Sequence, residues 1–310
     1  MESDNRQGIL LAVLAAALYA LSSPFAKLLL PYMPSTLMAD FLYLGAGLGM
    51  AVIALGRKLS GRTGREKRLT RAELPYTAAM ILLDIAAPIS LLLGLSMTTA
   101  ANASLLNNFE IAATALIALL IFKERISPRL WLGIAAVTLS CLILSFEDLS
   151  SLHFSGGSLF VLLAACCWGL ENNCTRKISS RDPLQIVLLK GLFSGGGSLA
   201  IGLTAGERIG ALWSIPCVLL LGFAAYGLSI YAYVFAQRFL GASRTSAYYA
   251  VAPFIGVLLS LIIFREVPGP SFLLALAFML AGAWLSAADT PLKDVFGSKK
   301  KGRSSNGPGK

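Results

Sequence analysis

Polar and apolar positions along this chain fall into long blocks. Ten apolar runs alternate with short polar stretches: Gly8–Leu30, Thr36–Gly56, Leu74–Leu95, Ala100–Phe122, Arg129–Phe146, Gly157–Thr175, Pro183–Thr204, Ile215–Phe235, Ala242–Phe264 and Ser271–Ala288. Each is about as long as a helix that crosses a bilayer. Lipid gives a bare backbone no hydrogen-bond partner, so runs of this length predict helices. The expected fold class is an all-α integral membrane protein with ten transmembrane helices. The first run exceeds a signal-peptide core, and Glu2 and Asp4 spoil a basic leader, so it is expected to be retained.

Composition supports this reading. Of 310 residues, 56% are hydrophobic and 14% charged, and the mean hydropathy is +0.72. A soluble domain carries about 25% charged residues, so the shortfall argues against a soluble globular enzyme, and the apolar content excludes a disordered chain. The net charge of +10 would suggest nucleic acid in a soluble protein. Here the basic residues lie between apolar runs and set orientation instead. With the amino terminus in the cytoplasm, 22 of the 26 Lys and Arg fall in inside segments. Lys27, Arg208 and Arg265 fall outside, and Lys190 lies within a helix. The positive-inside rule therefore predicts a multi-pass protein of the cell membrane with both termini cytoplasmic. Residues 290–310, basic and rich in Gly and Ser, read as a disordered cytoplasmic tail.

Chemical motifs are sparse. Cys141, Cys166, Cys167, Cys174 and Cys217 form no Cys-x2-Cys pair and read as small buried hydrophobes. His153, the single histidine, falls in a loop, so neither a metal site nor a cofactor is expected. The chain has no Gly-x4-Gly-Lys-Ser/Thr, His-Glu-x2-His or Gly-x-Ser-x-Gly, which leaves ATP drive and intramembrane hydrolysis unsupported.

The chain repeats itself. Leu120–Arg125 reads Leu-Ile-Phe-Lys-Glu-Arg and is followed by Pro128; Ile262–Glu266 reads Ile-Ile-Phe-Arg-Glu and is followed by Pro270. Phe122, Lys123, Glu124 and Pro128 align with Phe264, Arg265, Glu266 and Pro270, and Ser104 aligns with Ser246 at the same offset. Tyr19-Ala20-Leu21 with Lys27 parallels Trp168-Gly169-Leu170 with Arg176. Glycine clusters follow in each half, at Gly45, Gly47 and Gly49 and at Gly191, Gly195, Gly196 and Gly197. Two repeats of five helices are expected, 1–147 and 156–289. An odd number per repeat forces the second to lie upside down, as in secondary transporters. If one unit closes the outer end of a cavity, its inverted twin closes the inner end.

These motifs resemble those of the EamA family of the drug/metabolite transporter superfamily. The resemblance covers about residues 8–288. It rests on Ala101–Leu106 running into the Leu120–Arg125 motif, and on the weaker copy Ala242–Ala247 running into Ile262–Glu266. It implies a ten-helix, two-repeat carrier, often an exporter of small metabolites such as amino acids. The family often has a proline where this chain has Ile111, while the second copy keeps Pro253; the loss is expected to leave the fourth helix straighter.

Ionisable residues at membrane depth are costly and face a cavity or a partner. Asp84 and Glu110 lie near the centres of the third and fourth runs, and Asn107 and Asn108 join Glu110 in the densest polar group of the first half. Each is read either as a wall that binds solute or protons or as a polar contact between helices. Trp168, Glu171, Asn172 and Asn173 follow one another on the sixth run, and Glu171 reaches the depth of Lys190 on the seventh. That pair is either a gate or a structural ion pair. Lys27 and Asp40 are expected to form the mirrored pair near the outer end, with snorkelling to the headgroups the alternative for Lys27. Tyr226, Tyr231, Tyr233, Tyr248 and Tyr249 either line a route for an amphipathic solute or pack the core. Pro24, Pro88 and Pro253 are expected to kink their helices beside a cavity. The Gly45/Gly49 and Gly191/Gly195 spacings read as close helix packing.

The function expected is secondary active export of a small amphipathic metabolite by alternating access, driven either by protons or by the solute gradient alone. Its partners are a small solute and the bilayer, with protons added in the first case, and no nucleic acid; monomer and homodimer both stay open. An intramembrane lipid-handling protein or enzyme is the alternative. The topology has a direct test. A single cysteine placed in segment 57–71 of a variant lacking the five native cysteines is expected to react with an impermeant maleimide only from the cytoplasmic side. Labelling of intact cells from outside would reverse the orientation.

Overall fold

The structure is a computed structural model that describes residues 2–60, 67–121, 123, 127–148, 153–178, 181–240, 248–249, 251–265 and 267–287. Ten helical rods follow in chain order. α1 runs Glu2–Ala20 and, after a turn at Leu21, Ser22–Leu29. α2 is Ser35–Leu59 and α3 is Leu74–Met97. α4 is split into Ala100–Leu106 and Phe109–Leu120. α5 is Pro128–Ser145 and α6 is Gly156–Ile178. α7 comprises Pro183–Leu189, a π turn at Lys190–Ser194, and Gly195–Thr204. α8 comprises Ser214–Gly222, a π turn at Phe223–Leu228, and Ser229–Leu240. α9 is Ala252–Phe264, and α10 is Pro270–Ala287.

Among the described residues, seven helices are long and apolar enough to cross a membrane, α1 to α5 with α7 and α8. α9 and α10 are shorter apolar helices. α6 has 23 residues and carries Glu171, Arg176 and Lys177 in its second half. A short antiparallel pair, β1 (Phe146–Asp148) and β2 (His153–Phe154), joins α5 to α6, so His153 lies on a two-residue strand rather than in a loop.

The packing of the rods carries a two-fold relation. α3 packs on α6 as α1 packs on α8, and α4 packs on α6 as α1 packs on α9. α2 meets α7, α4 meets α9, and α5 meets α10. Exchanging each helix with the one five places along turns this set of contacts into itself, as two inverted five-helix repeats require. The backbone repeats too. The aligned residues Lys123 and Arg265 have φ of 55° and 53°, the positive-φ non-glycine positions among the described residues. Both sit where a helix stops and the chain turns towards a proline that opens the next.

Glycine lets α2 lie directly on α7 and α8. A Cβ on Gly45 would fall on the Leu219 carbonyl, and one on Gly222 would fall on that of Leu42. A Cβ on Gly191 would meet the Gly47 backbone, and one on Gly49 the Phe223 ring. Backbone thus meets backbone at the centre of the bundle.

Several expectations change. α4 is not straighter for lacking a proline at Ile111. It breaks at Asn107–Asn108, where the backbone bonds tighten to three-residue spacing: Asn108 N to Leu105 O at 3.2 Å, Glu110 N to Asn107 O at 3.1 Å and Ile111 N to Asn108 O at 3.0 Å. Consecutive asparagines favour such a local departure from the α ladder. α9 begins at Ala252, after a turn at Val251 that is closed by Phe254 N to Val251 O at 3.1 Å. Pro253 lies in the first turn of α9, where its missing N–H breaks no helical bond. Pro88 does lie inside α3. Cys141 and Cys174 are buried, but Cys166 and Cys217 are exposed and Cys167 is intermediate, so burial does not describe all five. Phe122, Glu124, Arg125, Ser246, Glu266 and the 290–310 tail fall outside the described residues.

The glycine seam predicts a contrast. Gly45→Val or Gly222→Val is expected to lower stability by about 1–3 kcal/mol through overpacking. Gly196→Ala, where an added Cβ meets nothing within 4 Å, is expected to be neutral or to stabilise by about 0.5–1 kcal/mol. Thermal unfolding in detergent checks both.

Candidate functional site

Four helices bring charge to the interior. Lys190, at the start of the π turn in α7, places Nζ 2.9 Å from Glu171 Oε1 on α6 and 3.2 Å from Asp84 Oδ2 on α3. Asp84 is 0% exposed, Glu171 3% and Lys190 8%. Tyr43 on α2 donates its hydroxyl to Asp84 Oδ1 at 2.9 Å, and Thr175 donates to Glu171 Oε1. A lone buried ammonium costs several kcal/mol, and close carboxylates offset that cost. Two carboxylates on one ammonium leave the triad net negative when all three are ionised. Pro88, four residues after Asp84, has no N–H for the Asp84 carbonyl, which loosens α3 at this level.

Glu110 on α4 stands apart from the triad. Its Oε1 accepts from Asn172 Nδ2 at 2.5 Å, and the same amide reaches Thr114 Oγ1 at 3.4 Å. Among the described residues, no Lys or Arg lies within ion-pair distance of Glu110. Asn173 points elsewhere. Its Nδ2 donates to the Thr114 carbonyl at 3.0 Å and the Gly169 carbonyl at 2.9 Å, which ties α6 to α4.

An aromatic wall faces these groups. Tyr19 on α1 lies 6.1 Å, centroid to centroid, from Tyr226 on α8 and 5.8 Å from Tyr249, just before α9. Tyr226 is 5.3 Å from Tyr43, and Tyr249 is 4.9 Å from Tyr233. Asn107 Nδ2 donates to the Tyr19 hydroxyl at 2.9 Å. Trp168 is buried on α6 beside the Tyr43 hydroxyl. The tyrosines thus come from α1, α2, α8 and the start of α9, and the ionisable groups from α6, α7, α3 and α4. These two sets are symmetry mates, so the two-fold relation exchanges an aromatic wall for a charged one.

Not every candidate joins the site. Lys27 and Asp40 do not hydrogen-bond each other. Lys27 Nζ donates to the Leu95 carbonyl and, at 2.6 Å, to that of Thr98, at the end of α3. Those helix-terminal carbonyls lack intrahelical donors and attract a cation. Asp40 is fully buried, and neither of its oxygens has a hydrogen-bond partner among the described residues. Asn108 is buried, and its Nδ2 has no hydrogen-bond partner among the described residues. Tyr248 is 38% exposed, and Tyr231 packs on Phe235 at 4.8 Å beneath Arg57. A cavity of about 660 Å³, lined by Thr98, Asn102, Ser155 and Phe272 among others, includes none of the candidate residues. Tyr43, Thr114 and Thr175 are members of the site that nothing in the sequence singled out.

Comparison with known proteins agrees with this architecture. The EamA-like transporter family matches residues 6–146 and again 155–288. The chain belongs to the EamA-like transporter family. An uncharacterized transporter of Methanothermobacter thermautotrophicus is 29% identical over 276 residues, 84% of this chain and 80% of that protein. The uncharacterized transporter YyaM of Bacillus subtilis is 24% identical over 177 residues, 54% of this chain and 58% of that protein. A solved crystal structure superposes with a TM-score of 0.62 at 16% identity, over 90% of this chain and 96% of the other, and shares the fold. This EamA protein is therefore a multi-pass membrane transporter whose partners are a small solute and the lipid bilayer.

The triad makes a stability prediction for this EamA chain. Lys190→Met is expected to cost about 3–5 kcal/mol, because two buried carboxylates lose their cation. Adding Asp84→Asn and Glu171→Gln to Lys190→Met is expected to recover much of that loss. Unfolding midpoints of the single and triple variants check it, and equal midpoints would refute the pairing.

Proposed function

We propose that this EamA carrier exports a small amphipathic metabolite, an amino acid or a similar solute, by alternating access, with proton movement coupled through its buried carboxylates. The observation that carries the reading is the position of Asp84, Glu110, Glu171 and Lys190 between two inverted halves, opposite a wall of tyrosines. In transporters built this way, solute and coupling ion bind near the midplane, where the repeats meet and helices are interrupted. α4 is interrupted at Asn107–Asn108, and α7 carries its π turn at Lys190.

In this reading the repeats are the units 1–147 and 156–289, and the carrier sits in the cell membrane with both termini in the cytoplasm. Solute enters between the charged and aromatic walls. The Glu171–Lys190 contact works as a gate, loosened when solute or a proton takes one partner. Asp84, Glu110 and Glu171 are the proton carriers, since carboxylates outnumber the single lysine. The interior performs binding and release, with no catalytic step.

The test uses purified protein in proteoliposomes with an internal pH indicator and a broad solute panel. Wild type is expected to move protons when a transported solute gradient is applied. Glu110→Gln and Glu171→Gln are expected to lose most of that signal. Wild-type-like proton movement in both variants removes these residues from coupling. Failure of the wild type to move any solute overturns the carrier reading itself.

A further inference from the structure

One part of the site is specific enough to define the solute. Glu110 is half-buried; Asn172 occupies its Oε1, and no basic residue pairs with it among the described residues. One turn earlier, Asn107 is 6% exposed, with its Nδ2 committed to the Tyr19 hydroxyl and its Oδ1 without a hydrogen-bond partner among the described residues. The turn between them is closed by the three-residue bond from Glu110 N to Asn107 O, at 3.1 Å. Residues three apart in such a turn stack over one another. Both side chains therefore leave α4 on the same side. Tyr19, held by Asn107 at 2.9 Å, lies 6.1 Å from Tyr226 and 5.8 Å from Tyr249, centroid to centroid, so the three rings gather beside this turn.

We propose that Glu110, Asn107 and the rings of Tyr19, Tyr226 and Tyr249 form a subsite for a primary ammonium group, so that the solute is an amine of net positive charge with an apolar or aromatic body. The proposal rests on the carrier reading and, among the amphipathic solutes that reading allows, selects a cationic amine over a zwitterionic amino acid. A primary ammonium has three N–H donors. The Glu110 carboxylate, Asn107 Oδ1 and the Tyr19 hydroxyl oxygen supply three acceptors. Ring faces attract the charge further and give the body of the solute a surface to lie on. Other charge classes fit worse. An anion meets three carboxylates and one lysine. The carboxylate of a zwitterion needs a free cation, yet Lys190 already holds Asp84 and Glu171. A quaternary ammonium keeps the charge but has no N–H, which leaves Asn107 Oδ1 buried and unsatisfied.

The test titrates full-length protein in detergent, by calorimetry, with four probes that share one ring: 2-phenylethylamine, its N,N,N-trimethyl analogue, 3-phenylpropanoate and L-phenylalanine. The primary amine is expected to bind about tenfold or more tighter than the trimethyl analogue, with the anion weakest. Glu110→Gln, checked for an unchanged melting midpoint, is expected to weaken amine binding about tenfold or more. The wild-type probe series stands without any variant. Equal binding of the amine and its trimethyl analogue, preference for the anion or the zwitterion, no binding of any probe, or an unchanged Glu110→Gln each overturns the subsite. Counterflow in proteoliposomes separates the two levels. Exchange of L-phenylalanine without 2-phenylethylamine keeps the carrier and removes the subsite. The expected binding pattern with no solute moved keeps the subsite and removes the carrier.

Discussion

A charged amine inside a bilayer must bring its neutralising groups with it, and in this protein that requirement organises the interior. Lys190 lies on α7, its two carboxylates on α3 and α6, and the hydroxyl that steadies Asp84 on α2. Four helices from both repeats are thereby fixed at one depth. The enclosing packing serves this arrangement. α2 lies backbone to backbone on α7 through Gly47 and Gly191, which holds Tyr43 and Lys190 on adjoining surfaces close enough to share Asp84.

Symmetry and chemistry part company at the centre. The halves match in how their helices pack and in the left-handed residues Lys123 and Arg265. They differ in what they point inward. Where one wall carries Tyr19, Tyr43, Tyr226 and Tyr249, its mate carries Glu171, Lys190, Asp84 and Glu110. A two-fold scaffold gives the interior two equivalent ends, and the unlike walls give it one polarity across its width. Lys27 shows the same divergence near an end of the bundle: it holds the terminal carbonyls of α3, and Asp40 has no hydrogen-bond partner among the described residues.

Much of this was legible in the chain. Long apolar runs in water-free surroundings leave helices as the only outcome, so the ten rods and their inverted pairing follow from hydropathy and from the repeated Phe-basic-Glu-x3-Pro register. The Glu171–Lys190 contact followed from equal depth on adjacent helices. Depth, however, says nothing of azimuth. Asp84 joins Lys190 because α3 rotates it inward, and Tyr43 enters for the same reason, which one-dimensional spacing does not report. The Lys27–Asp40 pairing failed because helix-terminal carbonyls compete for a lysine and leave no trace in a list of charged residues. The break in α4 escaped because proline was the expected marker, whereas two adjacent asparagines do the same through three-residue hydrogen bonds.

The unlike walls also bear on how far each half depends on the other. Each wall draws on both halves, so neither half carries a complete one. A homodimer built from the first half would set Asp84 and Glu110 against their own copies, four acids with no base between them. A homodimer of the second half would keep Lys190 with Glu171 in each copy but lose every acid of the first. Two identical five-helix chains could not supply this interior, which needs the two copies to differ. Splitting the present chain would not give two self-sufficient halves, because its electrical balance belongs to the whole.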